Sequence, residues 1–159
     1  MREPTADLTP PERKILADVE EHGLHIVHVP EDDEGPGFSF TIGLWHSFEQ
    51  PEVIVFGLPS ETAHELLNAI ADDASDGKRF LADSKHDGLL VDYPVRFLEV
   101  PKGAYGEYLG FARWAYLGDE FPCVQFVWPD KQGRWPWDAG TRDGFRESQP
   151  VLAKQAWPA

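Results

Sequence analysis

His46 and Asp130 are the two residues of this chain best placed to do chemistry. Each follows a strand-like run that stops beside a tryptophan. Residues 38–45 read Phe-Ser-Phe-Thr-Ile-Gly-Leu-Trp and are followed by His46; residues 121–128 read Phe-Pro-Cys-Val-Gln-Phe-Val-Trp and are followed by Pro129 and Asp130. A histidine presented by the end of a rigid sheet can exchange a proton near neutrality, and a carboxylate brought beside it would complete a catalytic pair. The plain alternatives are a loop histidine stacked on Trp45 and a turn aspartate that accepts backbone N–H groups. Gln125 lies inside an apolar run, where its amide must find partners; it either ties the sheet to a loop or faces a pocket. Thr41, like Ser39, alternates with Phe38, Phe40 and Ile42, so one face of that strand is small and hydroxylated. Trp45, Trp128, Trp135 and Trp137 cluster near the two strand ends. Tryptophan stacks well and needs a partner for its indole N–H, so these residues point to an aromatic-lined cleft. Thr41, His46, Gln125, Trp128, Asp130 and Trp137 are therefore the expected ligand-binding residues.

The remaining histidines are less suggestive. His22, His25 and His28 recur every three residues, but an odd separation along a strand turns side chains to opposite faces, which prevents chelation of one ion. His64 and His86 stand alone, and no metal site is expected. The single cysteine, Cys123, sits in an apolar run without an evident base, so an internal disulfide is impossible and thiolate catalysis is not expected. The sequence holds no nucleophile elbow, Walker loop, dinucleotide-binding glycine turn or paired zinc cysteines.

These residues must be positioned by a mixture of strands and helices. Thr9-Pro-Pro-Glu12 has the form of a capping box, followed by a narrow stripe of Ile15, Leu16 and Val19 and a stop at Gly23. Strands are predicted over 24–29 and 38–44, joined by an acidic turn, and over 52–58, whose unbroken apolar run suggests a central position. Ser60 opens a helix with Ala63, Leu66, Leu67, Ile70 and Ala74 on one face. Further strands are predicted at 89–92, 95–100 and 121–128, with a helix over 106–117 and a short strand at Trp135. Most links between strands are too short for a parallel crossover. The expected fold is α+β: a mainly antiparallel sheet curled into a barrel or half-barrel with two or three helices outside.

Composition limits the partners. With 159 residues the chain suits one domain, its core over about 20–138 and a polar tail over 139–159, and it can bury roughly two-thirds of its unfolded surface. The net charge of −14 argues against binding a phosphate backbone and favours, if any macromolecule, a basic protein partner. No segment resembles a signal peptide or a membrane helix, so a cytoplasmic location is expected.

Several of these stretches resemble a bacterial family known as domain of unknown function 4262. The likeness is carried by Asp-Asp-Glu-Gly-Pro at 32–36, Phe-Thr-Ile-Gly-Leu at 40–44 with His46 after it, and Pro-Glu-Val-Ile-Val-Phe-Gly-Leu at 51–58. Gln-Phe-Val-Trp-Pro-Asp at 125–130, Gly133 and Trp-Pro-Trp at 135–137 continue it. The order of elements around 51–73 is also similar to that of flavin-reductase-like split barrels, which implies FMN as a cofactor, although no Arg, Lys, Ser and Thr cluster forms a phosphate cradle. Three functions follow as expectations. The first is a small-molecule or cofactor-binding domain, including a flavin-type redox enzyme. The second is an acidic interaction or immunity-like protein. The third is a cofactor-free hydrolase or transferase using His46 and Asp130.

Overall fold

The computed structural model describes residues 1–154. Helix α1, Pro10–His22, starts on the expected capping box: Glu12 N–H donates to Thr9 Oγ1 at 3.3 Å and Thr9 N–H donates to Glu12 Oε1 at 2.8 Å. Strands β1, His25–Val29, and β2, Phe38–Ile42, form a hairpin. A five-residue helix α2, Leu44–Phe48, leads into β3, Glu52–Phe56, and then α3, Ser60–Ser75. A second hairpin follows, β4 at Ser84–Leu90 and β5 at Tyr93–Glu99. Short helices α4, Tyr105–Tyr108, and α5, Gly110–Tyr116, precede β6, Cys123–Val127, and α6, Asp143–Ser148.

The six strands make one mixed sheet in the order β1-β2-β3-β6-β5-β4. Every neighbouring pair is antiparallel except β3 and β6 at the centre, which run parallel with Glu52 opposite Cys123 and Val55 opposite Phe126. The α+β class holds, but the sheet is not closed into a barrel: β1 and β4 are its edges. Short links exclude parallel pairing only between strands adjacent in sequence. Between β3 and β6 the chain runs through α3, a whole hairpin and α4–α5, which is ample for a parallel return. The two hairpins then extend the sheet outward on either side and leave its ends unjoined.

Both faces are covered, so β3 and β6 are buried along their whole length, as their apolar runs require. Phe40, Ile42, Ile54 and Phe56 face α1, α4 and α5. Val53, Val55, Val124 and Phe126 face Leu67 and Ile70 of α3. No helix is long and apolar enough to cross a membrane among the described residues.

Local departures from the sequence reading have local causes. The helix over 106–117 breaks at Leu109, where the backbone leaves helical geometry before Gly110. Trp135 is not in a strand; a turn centred on Asp130 and Asp138 holds it, with Trp135 N–H donating to Asp138 Oδ2 at 2.8 Å. The polar tail contains α6, whose seat depends on Gly57 at φ +80°. A Cβ at Gly57 would stand 2.7 Å from Ser148 O and 3.3 Å from Trp128 Cζ2. Gly57→Ala should therefore destabilise the domain by about 1–3 kcal/mol through backbone strain and displacement of α6. Urea unfolding checks this; a loss under about 0.5 kcal/mol would show that α6 has no fixed seat.

Candidate functional site

Beyond the C-terminal ends of β3 and β6 lies a groove of about 620 Å³, walled by Tyr93, Trp128, Asp130, Lys131, Arg142 and Phe145. Trp128 is fixed three ways. Its indole N–H donates to Phe56 O at 3.0 Å, its backbone N–H donates to Gln149 Oε1 at 2.9 Å, and Gln149 Nε2 donates back to Trp128 O at 2.8 Å. Gln149 is wholly buried, so both bonds are made away from water. Phe145 of α6 meets the Trp128 ring edge-on with centroids 5.0 Å apart. Tyr93 of β5 donates its phenol O–H to Lys131 O at 2.7 Å. The aromatic walls are thus held from three separate elements.

Asp130 shapes the turn at this end. It accepts N–H groups from Gln132 and Arg134, each at 2.9 Å, and pairs with Arg134 Nε at 3.1 Å. Burial pushes its carboxyl up, but those bonds to Arg134 and Gln132 outweigh it and hold the pKa below the usual carboxylate value. Trp137 is not one of the groove's walls; it stacks on Trp135 with centroids 5.5 Å apart and planes 4° from parallel. Gln125 ties the sheet to the C-terminal segment, donating to Pro150 O at 2.6 Å and accepting from Leu152 N–H at 2.9 Å.

His46 is at the other end of the sheet. Strand β2 runs antiparallel to β3, so its C-terminal end, and α2 after it, lie beside the start of β3. Because β6 runs parallel to β3, Asp130 leaves from the opposite end. The expected cleft shared by His46, Asp130, Trp128 and Trp137 is therefore not formed. Nor is His46 in a loop: it is an exposed residue of α2, and its backbone N–H donates to Tyr116 Oη at 3.2 Å.

The dominant polar feature at that end is Glu52, buried entirely. Its carboxylate accepts from Thr41 Oγ1 at 2.7 Å, from the backbone N–H groups of Gly43, Leu44 and Trp45 at 3.0–3.1 Å, and from the Tyr116 phenol. Thr41 Oγ1 in turn accepts from Val53 N–H at 3.0 Å. Gly43 makes the wrap possible: at φ +111°, a Cβ there would sit 2.8 Å from Gly23 O and 2.9 Å from Val19 Cγ2. Burial raises the pKa of Glu52, opposed by the hydroxyl and N–H donors. Burial and the Glu52 charge push the Tyr116 phenol well up, so it remains a donor. Thr41 thus belongs to a structural clasp rather than to the groove. The signal for Glu52 was present in the sequence as the one acid leading an otherwise apolar strand after Pro51. Phe145 and Gln149 had no such signal.

The groove does not fit FMN. The polar side chains of Gln125, Gln149 and Asp130 are committed to the protein's own groups, and Gln132 Oε1 accepts from Arg134, which leaves Lys131 and Arg142 at an exposed rim. An isoalloxazine needs fixed donors and acceptors along its polar edge. The open sheet also removes the barrel on which the flavin likeness rested. Among the described residues, no three His, Cys, Asp or Glu side chains are grouped to hold a metal ion.

Fold and groove together define an α+β domain built on an open mixed sheet, with an aromatic groove at one end. The family described as a domain of unknown function (DUF4262) matches residues 18–142, and the chain belongs to it. Comparison with curated proteins and with solved structures finds no match. Trp128, Asp130 and Arg142 fall within the matched residues; Phe145 and Gln149 fall beyond them.

The Glu52 clasp sets a pH dependence. A folded-state pKa raised above the ordinary 4.5 means that the group's stabilising contribution is full below that value and is lost as pH rises through the folded one. Glu52→Gln cannot titrate, so the wild-type advantage in unfolding free energy over this variant should shrink as pH rises above about 4.5. Urea titrations across that range measure it. An advantage that grows with pH would show that the donors outweigh burial. Glu52→Ala, which strands the donors, should cost about 3–5 kcal/mol.

Proposed function

We propose that this domain binds a small molecule with a flat apolar body and an acidic group, seated on Trp128, Tyr93 and Phe145 with Lys131 and Arg142 at the rim. The observation that carries this reading is the immobilised Trp128 wall, bonded through its indole and both backbone polar groups while it borders an open apolar groove. A stacking surface fixed in advance spares a ligand the ordering entropy of its partner. The acidic group follows from charge. In a chain of net charge −14, Lys131 and Arg142 form none of the ion pairs among the described residues, and both are exposed at the groove. An exposed pair contributes only about 0.2–1 kcal/mol, so the cations orient the ligand while burial of its apolar body supplies most of the affinity. His46 and Asp130, at opposite ends of the sheet, do not support a shared hydrolytic role.

Anilinonaphthalene sulfonate has the required shape and charge. It should bind the folded protein at one saturable site with a large rise in its fluorescence. Phe145→Ala should weaken binding about tenfold or more, and Arg142→Ala roughly two- to fivefold, the latter effect vanishing at high salt. Saturable binding that neither substitution alters, or no binding at all, would contradict the assignment.

A further inference from the structure

A second cavity, of about 460 Å³, is also bordered by α6, which lends Ser148 to it as it lends Phe145 to the groove. Three side chains from three elements are linked there, two of them in its lining. Ser39 of β2 and His28 of β1 are directly opposite in the hairpin register, and Ser39 Oγ lies 2.7 Å from His28 Nδ1. His64, on the second turn of α3, places its Nδ1 3.2 Å from His28 Nε2. Ser39 is almost wholly buried while both imidazoles are exposed, and Ser39 and His28 line the cavity. The odd spacing of the histidines argues against chelation within β1, yet it has no bearing on a partner supplied by α3.

We propose that Ser39, His28 and His64 form a hydroxyl–imidazole–imidazole relay that carries out acyl transfer from small uncharged esters. The proton arrangement that serves it has Ser39 O–H donating to His28 Nδ1 and His28 Nε2–H donating to His64 Nδ1. A nucleophile, a base and a group that orients the base are the parts such chemistry needs. Ser39 Oγ attacks the ester carbonyl carbon as its proton passes to His28 Nδ1. The adduct collapses with cleavage of the bond from carbonyl carbon to leaving oxygen, and His28 delivers the proton to that oxygen. Water then attacks acyl-Ser39, giving one proton through His28 to Ser39 Oγ and releasing the carboxylic acid. Ser60 borders the cavity in the first turn of the 16-residue α3, where backbone N–H groups lack intrahelical acceptors and can face developing negative charge. Partial burial, then the neighbouring His64 and His25, lower the pKa of His28, which favours the neutral, proton-accepting form. Val29, Phe38 and Leu58 give the cavity apolar walls suited to a short acyl chain, and Glu31 disfavours anionic substrates.

The test treats the full chain with an alkyl fluorophosphonate and locates the adduct by peptide mass. A single adduct on Ser39 is expected, absent from Ser39→Ala, together with turnover of p-nitrophenyl butyrate. His28→Gln should slow labelling about 100-fold or more, the contribution of a general base. His64 acts as a positioning residue, so His64→Gln should slow labelling less and displace its pH profile, to which His28, His64, His25 and Glu31 contribute. Circular dichroism separates these effects from unfolding, and the wild-type adduct decides the case even if a variant fails to fold. Folded wild-type protein left unlabelled at Ser39, or labelled at a rate that His28→Gln does not change, would overturn the proposal.

Discussion

The parallel pairing of β3 with β6 is the constraint on which the rest of the structure depends. It places two fully buried, largely apolar strands side by side at the sheet's centre, where both faces must be covered, and it recruits helices to each face. It also gives the sheet a direction. Everything that leaves β3 and β6, including Gly57, Trp128 and Asp130, emerges at one end, while the chain returning from β2 arrives at the other. Had β6 run antiparallel to β3, Asp130 would have left from the same end of the sheet as His46.

The two ends are physically unlike. One is closed around Glu52, whose carboxyl group is enclosed by backbone N–H groups and two hydroxyls and so joins α2, α5 and the strands β2 and β3. Removing a partner from such a cluster exposes the others to a medium that cannot solvate them, which suits a structural role. The other end is open. There the polar side chains of Gln149 and Gln125 are spent on holding the C-terminal segment, and the aromatic rings are left facing space. Binding surfaces belong where a rigid scaffold ends and its loops are held without being sealed.

What the sequence disclosed, and what it hid, follows from the range of the interactions. The α1 capping box, the α3 apolar face and the buried runs of β3 and β6 are local patterns, and each was legible in the residues themselves. The partner of β6 is 71 residues away at the Glu52–Cys123 register, and nothing within either strand encodes the direction of pairing. That missing direction is why an open sheet read as a barrel and why His46 was grouped with Asp130. Trp128 and Asp130 are conspicuous in the sequence because they are aromatic and turn residues at a strand end. Trp137 was not separable from them by type alone. Phe145 and Gln149 acquire their roles only when α6 docks against Gly57, an approach that depends on a missing side chain rather than on a present one.

The central claim is that ligand chemistry is confined to the open end of the β3–β6 pair. Amide and indole N–H resonances recorded while anilinonaphthalene sulfonate is added test it most directly, because Trp45 and Trp128 report on opposite ends of the same sheet. The expected result is a set of shifts centred on Tyr93, Trp128, Lys131, Arg142 and Phe145, with Trp45, His46 and Tyr116 unmoved. Shifts centred on Trp45, His46 and Tyr116 would contradict it.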